Sequence, residues 1–146
     1  MKVNIDSSVL AGIKKTCQES LFKYEVGGMF LGKAEGDSYF VDKMITVPSA
    51  NRQRHSFYMD GDLATKLLND EMSLSENMDF LGIWHSHVTG ILEFSNADKY
   101  ANQQLADLYS SLVSCVVTPV NDDKSLIMRV YLIGRMTEQV VMDYNF

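Results

Sequence analysis

The chain is poor in the residues that staple or punctuate a fold. It has 2 cysteines and 2 prolines in 146 residues. Cys17 and Cys115 lie far apart and in no metal-spaced pair, which excludes a disulfide-built scaffold. A reduced, cytoplasmic protein is the simplest expectation. Pro48 and Pro119 mark no linker, and no repeat or low-complexity segment breaks the chain. Basic residues are also short: Lys plus Arg is 13 against 19 Asp plus Glu, a formal net charge of −6. Nucleic-acid binding rests on neutralising phosphates, so such a chain is a weak candidate for it. Long hydrophobic runs are missing as well. Residues 81–84 and 112–117 fall far below the ~20 residues a membrane span needs. The N-terminal residues Asn4, Asp6, Ser7 and Ser8 precede any apolar stretch, unlike a secretory signal.

What is present is an ordinary globular balance, 46% hydrophobic and 22% charged, which excludes disordered, collagen-like and coiled-coil chains. The length suits one domain with a core large enough to stand without disulfides. Residues 7–22 predict a helix capped by Ser7 or Ser8, with Val9, Leu10, Ile13, Cys17 and Leu21 at helical spacing. Residues 26–33 and 39–47 predict two strands of a hairpin, with glycines where backbones approach closely. Residues 50–55 predict a loop. Residues 61–72 predict a second helix with Leu63, Leu67 and Leu68 inward. Residues 80–88 are almost unbroken in apolar character up to His85, as in a central strand buried on both faces. Residues 95–112 predict a third helix carrying Ala101, Leu105, Leu108 and Leu112. Strands follow at 113–118, 126–133 and 139–144, with a turn at 121–124. The order α-β-β-α-β-α-β-β-β predicts an α/β or α+β sandwich around one sheet.

The chemistry concentrates in His85-Ser86-His87, then seven residues, then Ser95-Asn-Ala-Asp98. Residues i and i+2 of a strand share a face, so two imidazoles can converge on one point. They stand at the end of a central strand, where sites of α/β sheets often lie. Gly90 lets the chain turn, and Ser95 stands where a helix N-cap belongs. Asp98, in the first turn, can fold back toward the strand end. Two histidines and one aspartate form a three-ligand set for a divalent metal, with a fourth position left for water, as in catalytic zinc. Zinc lowers the pKa of the water it binds to about 7. Glu25, just before the first strand, supplies a carboxylate able to take that water's proton and deliver it to a leaving amine. Ser95 can donate a hydrogen bond to an oxyanion.

Plainer roles exist for the same residues. Ser95-Xaa-Xaa-Asp98 also reads as a capping box, a role compatible with the site. A lone Glu25 is a surface carboxylate, Gly27, Gly28 and Gly32 are packing glycines, and Trp84 is core. His55, with Arg52 and Arg54, reads as a solvated loop. Cys115 lies in an apolar strand, which raises a thiol's pKa and opposes nucleophilic use.

Together these motifs are more specific than any of them alone. Glu25-Val-Gly-Gly-Met-Phe-Leu-Gly32, His85-Ser86-His87 and Ser95-Xaa-Xaa-Asp98 resemble the signature of the JAMM (JAB1/MPN/Mov34) metalloprotease family. The resemblance runs from the first helix to about Ile133 and treats residues 1–146 as a single JAB/MPN domain. It implies a cytidine-deaminase-like α-β-α sandwich with a mixed central sheet. It implies one zinc per chain on His85, His87 and Asp98, with Glu25 as general acid/base and Ser95 at the oxyanion. Two departures stand out: Val88 follows the second histidine and Phe94 precedes the serine, both where family members commonly carry proline. Both predict a looser connecting loop. The segment between Val47 and Asp60 has no cysteine, so a second zinc is not expected.

The compact form is similar to prokaryotic or phage members. It implies a zinc-dependent peptidase or isopeptidase acting on the C-terminal tail of a ubiquitin-like or sulfur-carrier protein. Two other readings stay open: a non-catalytic assembly module, and a RadC-like protein associated with nucleic acid. The oligomeric state, a homodimer included, is left open by the sequence.

Overall fold

The computed structural model describes residues 2–120 and 124–146. The elements in chain order are β1 (Lys2–Ile5), α1 (Ser7–Ser20), β2 (Gly27–Glu35), β3 (Ser38–Val47) and α2 (Gly61–Leu74). They continue with β4 (Asp79–Ser86), α3 (Asn96–Tyr109), β5 (Ser111–Val120), β6 (Ser125–Gly134) and β7 (Thr137–Asn145). The seven strands form one sheet in the order β1-β3-β2-β4-β5-β6-β7. It is mixed: β1 runs parallel to β3 and β4 parallel to β5, while the other neighbours are antiparallel.

Strand alternation divides the core into two layers. On one face α1 lays Val9, Ile13 and Cys17 over Trp84, Val113, Cys115 and Val117. On the other face α2 covers Leu31, Ile45 and Val47 through Ala64, and α3 covers Leu112, Val116 and Ile133 through Ala106. Ile83 packs against both of these second-face clusters. The C-terminal end of β4 thus emerges between α2 and α3, and His85 and His87 share Ile83's parity. The helix–sheet–helix layering and the mixed sheet are those the sequence pointed to.

Several boundaries differ from the expectation. β1 was not foreseen. It is a four-residue edge strand, and its backbone groups find partners in β3 and at Asp37 just before it, far along the chain. The cap of α1 is Asp6, whose carboxylate accepts from Ser8 N at 3.0 Å; Ser7 opens the helix itself. Leu21 and Phe22, at φ 54° and 53°, end that helix. α3 stops at Tyr109 because Ser110 adopts φ 71°. Leu108 lies ~200° around α3 from the buried Ala106 and is exposed at 78%, whereas Leu112 belongs to β5 and is fully buried. The predicted turn at 121–124 lies, but for Lys124, outside the described residues.

Cys17 and Cys115 are both buried. Burial pushes the Cys17 thiol up to about 12 and the Cys115 thiol up as well, so neither is a ready nucleophile. Among the described residues no helix is long and apolar enough to cross a membrane.

The glycines of β2 are set by close approach. A Cβ on Gly28 would stand 1.7 Å from the Ile45 carbonyl oxygen and 3.0 Å from Trp84 Nε1. Gly28→Ala is therefore expected to destabilise the protein by about 2–3 kcal/mol, as overpacking does. Chemical denaturation followed by circular dichroism checks this; a midpoint equal to that of the wild type would contradict the account.

Candidate metal centre

The centre begins with a clamp between β2 and β4. Gly27 pairs with His85 and Gly28 with Trp84. Followed two residues back, that antiparallel register sets Glu25 level with His87. Ser86, between the two histidines, points to the opposite face and is fully buried. Its hydroxyl accepts from Val26 N at 2.9 Å, while Ser86 N donates to Val26 O at 2.7 Å. Glu25 N donates to Gln53 O at 3.0 Å, which ties the 50–58 loop to the same point. Sequence reasoning missed Ser86. The available signal was its parity: a serine facing inward needs a buried hydrogen-bond partner.

Beyond β4 the chain is held residue by residue. His87 N donates to Val117 O at 2.8 Å. Thr118 Oγ1 donates to His87 O and accepts from Gly90 N, both at 2.9 Å. Gly90 turns at φ 83°. Tyr131 donates its hydroxyl proton to Leu92 O at 2.8 Å. Leu92 and Phe94 are buried, and the Phe94 ring lies 4.3 Å from that of Tyr131 and 6.2 Å from that of His85. Val88 and Phe94, where proline was the expectation, stand in a loop tied by aromatic packing and by hydrogen bonds of Thr118, Gly90 and Tyr131.

α3 then starts with a capping box. Asp98 N donates to Ser95 Oγ at 3.1 Å, and Ser95 N donates to Asp98 Oδ2 at 3.0 Å. The same Oδ2 faces both imidazoles, 3.2 Å from His85 Nε2 and 3.3 Å from His87 Nε2. The two Nε2 atoms are 3.0 Å apart. Donors arranged tetrahedrally about zinc at ~2.0 Å stand ~3.3 Å from one another, so this spacing suits the ion. His87 Nδ1 donates to Ile91 O at 2.8 Å, which keeps the lone pair on Nε2. Glu25 joins from the other side: ligand atoms of Glu25, His85 and His87 all lie within 4.8 Å of one another. Glu25, His85 and His87 are thus positioned to bind a metal ion, and Asp98 adjoins both histidines.

The charges are polarised. Burial pushes the Glu25 carboxyl up to about 7; His87 opposes the shift and the Asp98 charge adds to it. Burial acts the same way on Asp98, but hydrogen bonds from His85 and His87 outweigh it and hold that carboxyl far below its ordinary range. Burial lowers His87, yet its bonds to Asp98 and Ile91 leave it raised.

Two clefts flank these groups. The smaller, about 220 Å³, is lined by Glu25, His55, His87, Glu93 and Ser95. The larger, about 290 Å³, opens beside His85 and Asp98, between the 57–59 segment and α3. The structure thus gathers Glu25, His85, His87 and Asp98 and sets Ser95 at their edge. His55, expected in a solvated loop, is exposed and stands at the rim of the smaller cleft.

The chain belongs to the prokaryotic homologs of the JAB domain, the family that matches residues 8–131. Among solved structures it is similar to the solution structure of protein DSY2949 from Desulfitobacterium hafniense, with a TM-score of 0.74 and 18% identity. That similarity covers 97% of this chain and 90% of the other, and it concerns the fold. No curated protein matches the chain.

Two outcomes are expected from this geometry. Thr118→Val keeps volume but removes both bonds to the 87–90 turn. Affinity for a divalent metal ion should fall ~10-fold with the fold retained; an unchanged chelator-competition curve would contradict the role. A raised Glu25 means the folded protein holds a proton that the unfolded chain releases near 4.5. Stability from this group is complete below pH 4.5 and lost as pH rises to about 7. Metal-free Glu25→Gln should therefore lose less stability than the wild type between pH 4.5 and 8 in thermal melts.

Proposed function

We propose that the protein is a zinc-dependent metallopeptidase or isopeptidase. It hydrolyses a peptide or isopeptide bond at the C-terminal tail of a ubiquitin-like or sulfur-carrier protein in the cytoplasm. The observation that carries this reading is the convergence of His85 Nε2, His87 Nε2 and Asp98 Oδ2 at 3.0–3.3 Å beside a buried Glu25.

His85, His87 and Asp98 hold the ion, which supplies Lewis acidity toward the scissile carbonyl and toward water. Two imidazoles and one carboxylate suit zinc. Asp98 stays ionised, as a ligand must. Glu25 takes a proton from water as its oxygen adds to the carbonyl carbon. It then returns that proton to the amine nitrogen as the C–N bond breaks, leaving a carboxylate and an amine. Burial favours the protonated form of Glu25, which suits a group that must take a proton from water and return it. Asp98 N occupies a lone pair of Ser95 Oγ, so the Ser95 hydroxyl proton is free to point at the developing oxyanion.

The purified protein should carry one zinc per chain by elemental analysis. Glu25→Gln should keep the zinc and lose hydrolysis of fusions that carry a ubiquitin-like domain before the scissile bond. His85→Ala should lose both. Cleavage by Glu25→Gln at the wild-type rate would sink the mechanism. Stoichiometric zinc with no hydrolysis across such fusions would favour a non-catalytic module.

A further inference from the structure

The side of α3 that meets the sheet is a single stripe, Asp98, Asn102 and Ala106, spaced four residues apart. Asn102 and Ala106 are its buried members. On β5, Leu112, Ser114 and Val116 share the facing side and are fully buried. In this otherwise apolar layer Ser114 Oγ donates to Asn102 Oδ1 at 2.9 Å. Asn102 Nδ2 is buried too, with no acceptor among the described residues. Such a pair is a poor source of stability. A buried hydrogen bond nets little, and an unsatisfied donor costs more than an apolar group of the same shape. What the pair does supply is direction. Apolar contacts tolerate a small slide or turn of the helix, whereas a hydrogen bond weakens steeply once its angle is lost.

The level at which this bond is made bears on the metal centre. The chain leaves the end of β4, passes through α3 and enters the start of β5, which is parallel to β4, so α3 runs opposite to both strands. Ser114 stands in register with Ile83, two residues before His85. Two residues of strand rise ~6.6 Å. Asn102 lies four residues after Asp98, a rise of ~6 Å along the helix. Fixing Asn102 at the level of Ser114 therefore sets Asp98 at the level of His85, where its Oδ2 stands 3.2 Å from His85 Nε2 and 3.3 Å from His87 Nε2. A slip of one residue shifts Asp98 by ~1.5 Å and turns it by ~100°, away from both imidazoles. Gln103 also ties α3 to the sheet, through Gly134 O at 3.3 Å and Met136 N at 3.0 Å, but those partners belong to the end of β6 and the turn after it.

We propose that Ser114 and Asn102 are a positioning pair, whose buried bond sets the height and rotation of α3 on β5 and so aims Asp98 at the metal. Neither residue touches metal or substrate. This role rests on the metal centre of the reading above, and not on hydrolysis.

The test separates geometry from stability. Ser114→Ala, and Asn102→Leu combined with Ser114→Ala, are compared with the wild type in metal-free denaturation, in Zn2+ chelator competition and in the visible spectrum of the Co2+ form. Ser114→Ala leaves Asn102 Oδ1 unpaired, so it should lose stability and bind zinc about tenfold more weakly. In the double variant both partners are apolar. Its denaturation midpoint should return to the wild-type value or rise above it, while zinc affinity stays about tenfold low and the Co2+ bands stay shifted from those of the wild type. Wild-type zinc affinity and Co2+ spectrum in the double variant would make the pair merely structural and overturn the proposal. Should the double variant not fold, Ser114→Ala decides alone: wild-type zinc affinity and Co2+ spectrum there overturn the role. Failure of the wild type to bind either ion would sink the metal centre itself, and this role with it.

Discussion

The centre depends on one clamp, the reciprocal pair of bonds between Ser86 and Val26. Two histidines on one face of a strand are common and do nothing by themselves. Here the residue between them turns inward and hooks the start of β2 through its hydroxyl. That bond, with the Gly27–His85 register, brings Glu25 beside the imidazoles although 59 or more residues separate them in the chain. Its neighbour Gly27 has no room for a side chain, since a Cβ there would stand 2.5 Å from Trp84 O and 2.8 Å from Phe57. The close approach of backbones at this point is what lets a carboxylate, two imidazoles and a covering loop share so small a volume.

The second economy is the start of α3. One carboxylate oxygen of Asp98 closes the capping box through Ser95 N and also faces two Nε2 atoms. The cap and the ligand set are the same atoms. A helix N-terminus favours negative charge, so the helix stabilises the carboxylate in the ionised form that a cation requires. The loop leading to it is held by Thr118, Tyr131 and the packing of Leu92 and Phe94, so Asp98 arrives from a fixed direction.

Glu25 and Asp98 are carboxylates of one small site with opposite tendencies. Asp98 is bonded to donors and stays charged; Glu25 is buried with fewer donors and holds its proton toward neutrality. Such divergence separates a ligand from a proton carrier in chemical terms, and pairs of this kind mark acid–base sites. Asymmetry extends to the surroundings, with a cleft that gathers Glu25, Glu93, His55 and Ser95 on the Glu25 side and a more apolar one on the His85 and Asp98 side.

The helices, the central strand and the ligand residues were legible because each carries a local signal. Period 3.6 marked Val9, Ile13 and Cys17; an apolar run marked β4; spacing marked His85, His87 and Asp98. Features built from distant partners were not legible. β1 is four residues whose backbone bonds go to β3, and Ser86 looks inert until Val26 is beside it. Leu108 carried the period of an apolar helix face, yet α3 buries the side that holds Asn102 and Ala106 and leaves Leu108 exposed. Phe94 looked like the loss of a rigid proline, and only its packing on Tyr131 and His85 reveals its replacement.

The sequence by itself determined the donor types, the strand that carries two of them and the helix start that carries the third. These follow from side-chain chemistry and local periodicity. Only the tertiary structure decided that Glu25 meets them, that its carboxyl is buried enough to rise to about 7, and that an apolar cleft opens beside His85 and Asp98. Burial and convergence are properties of surroundings, and those are assembled by contacts between residues that the chain keeps far apart.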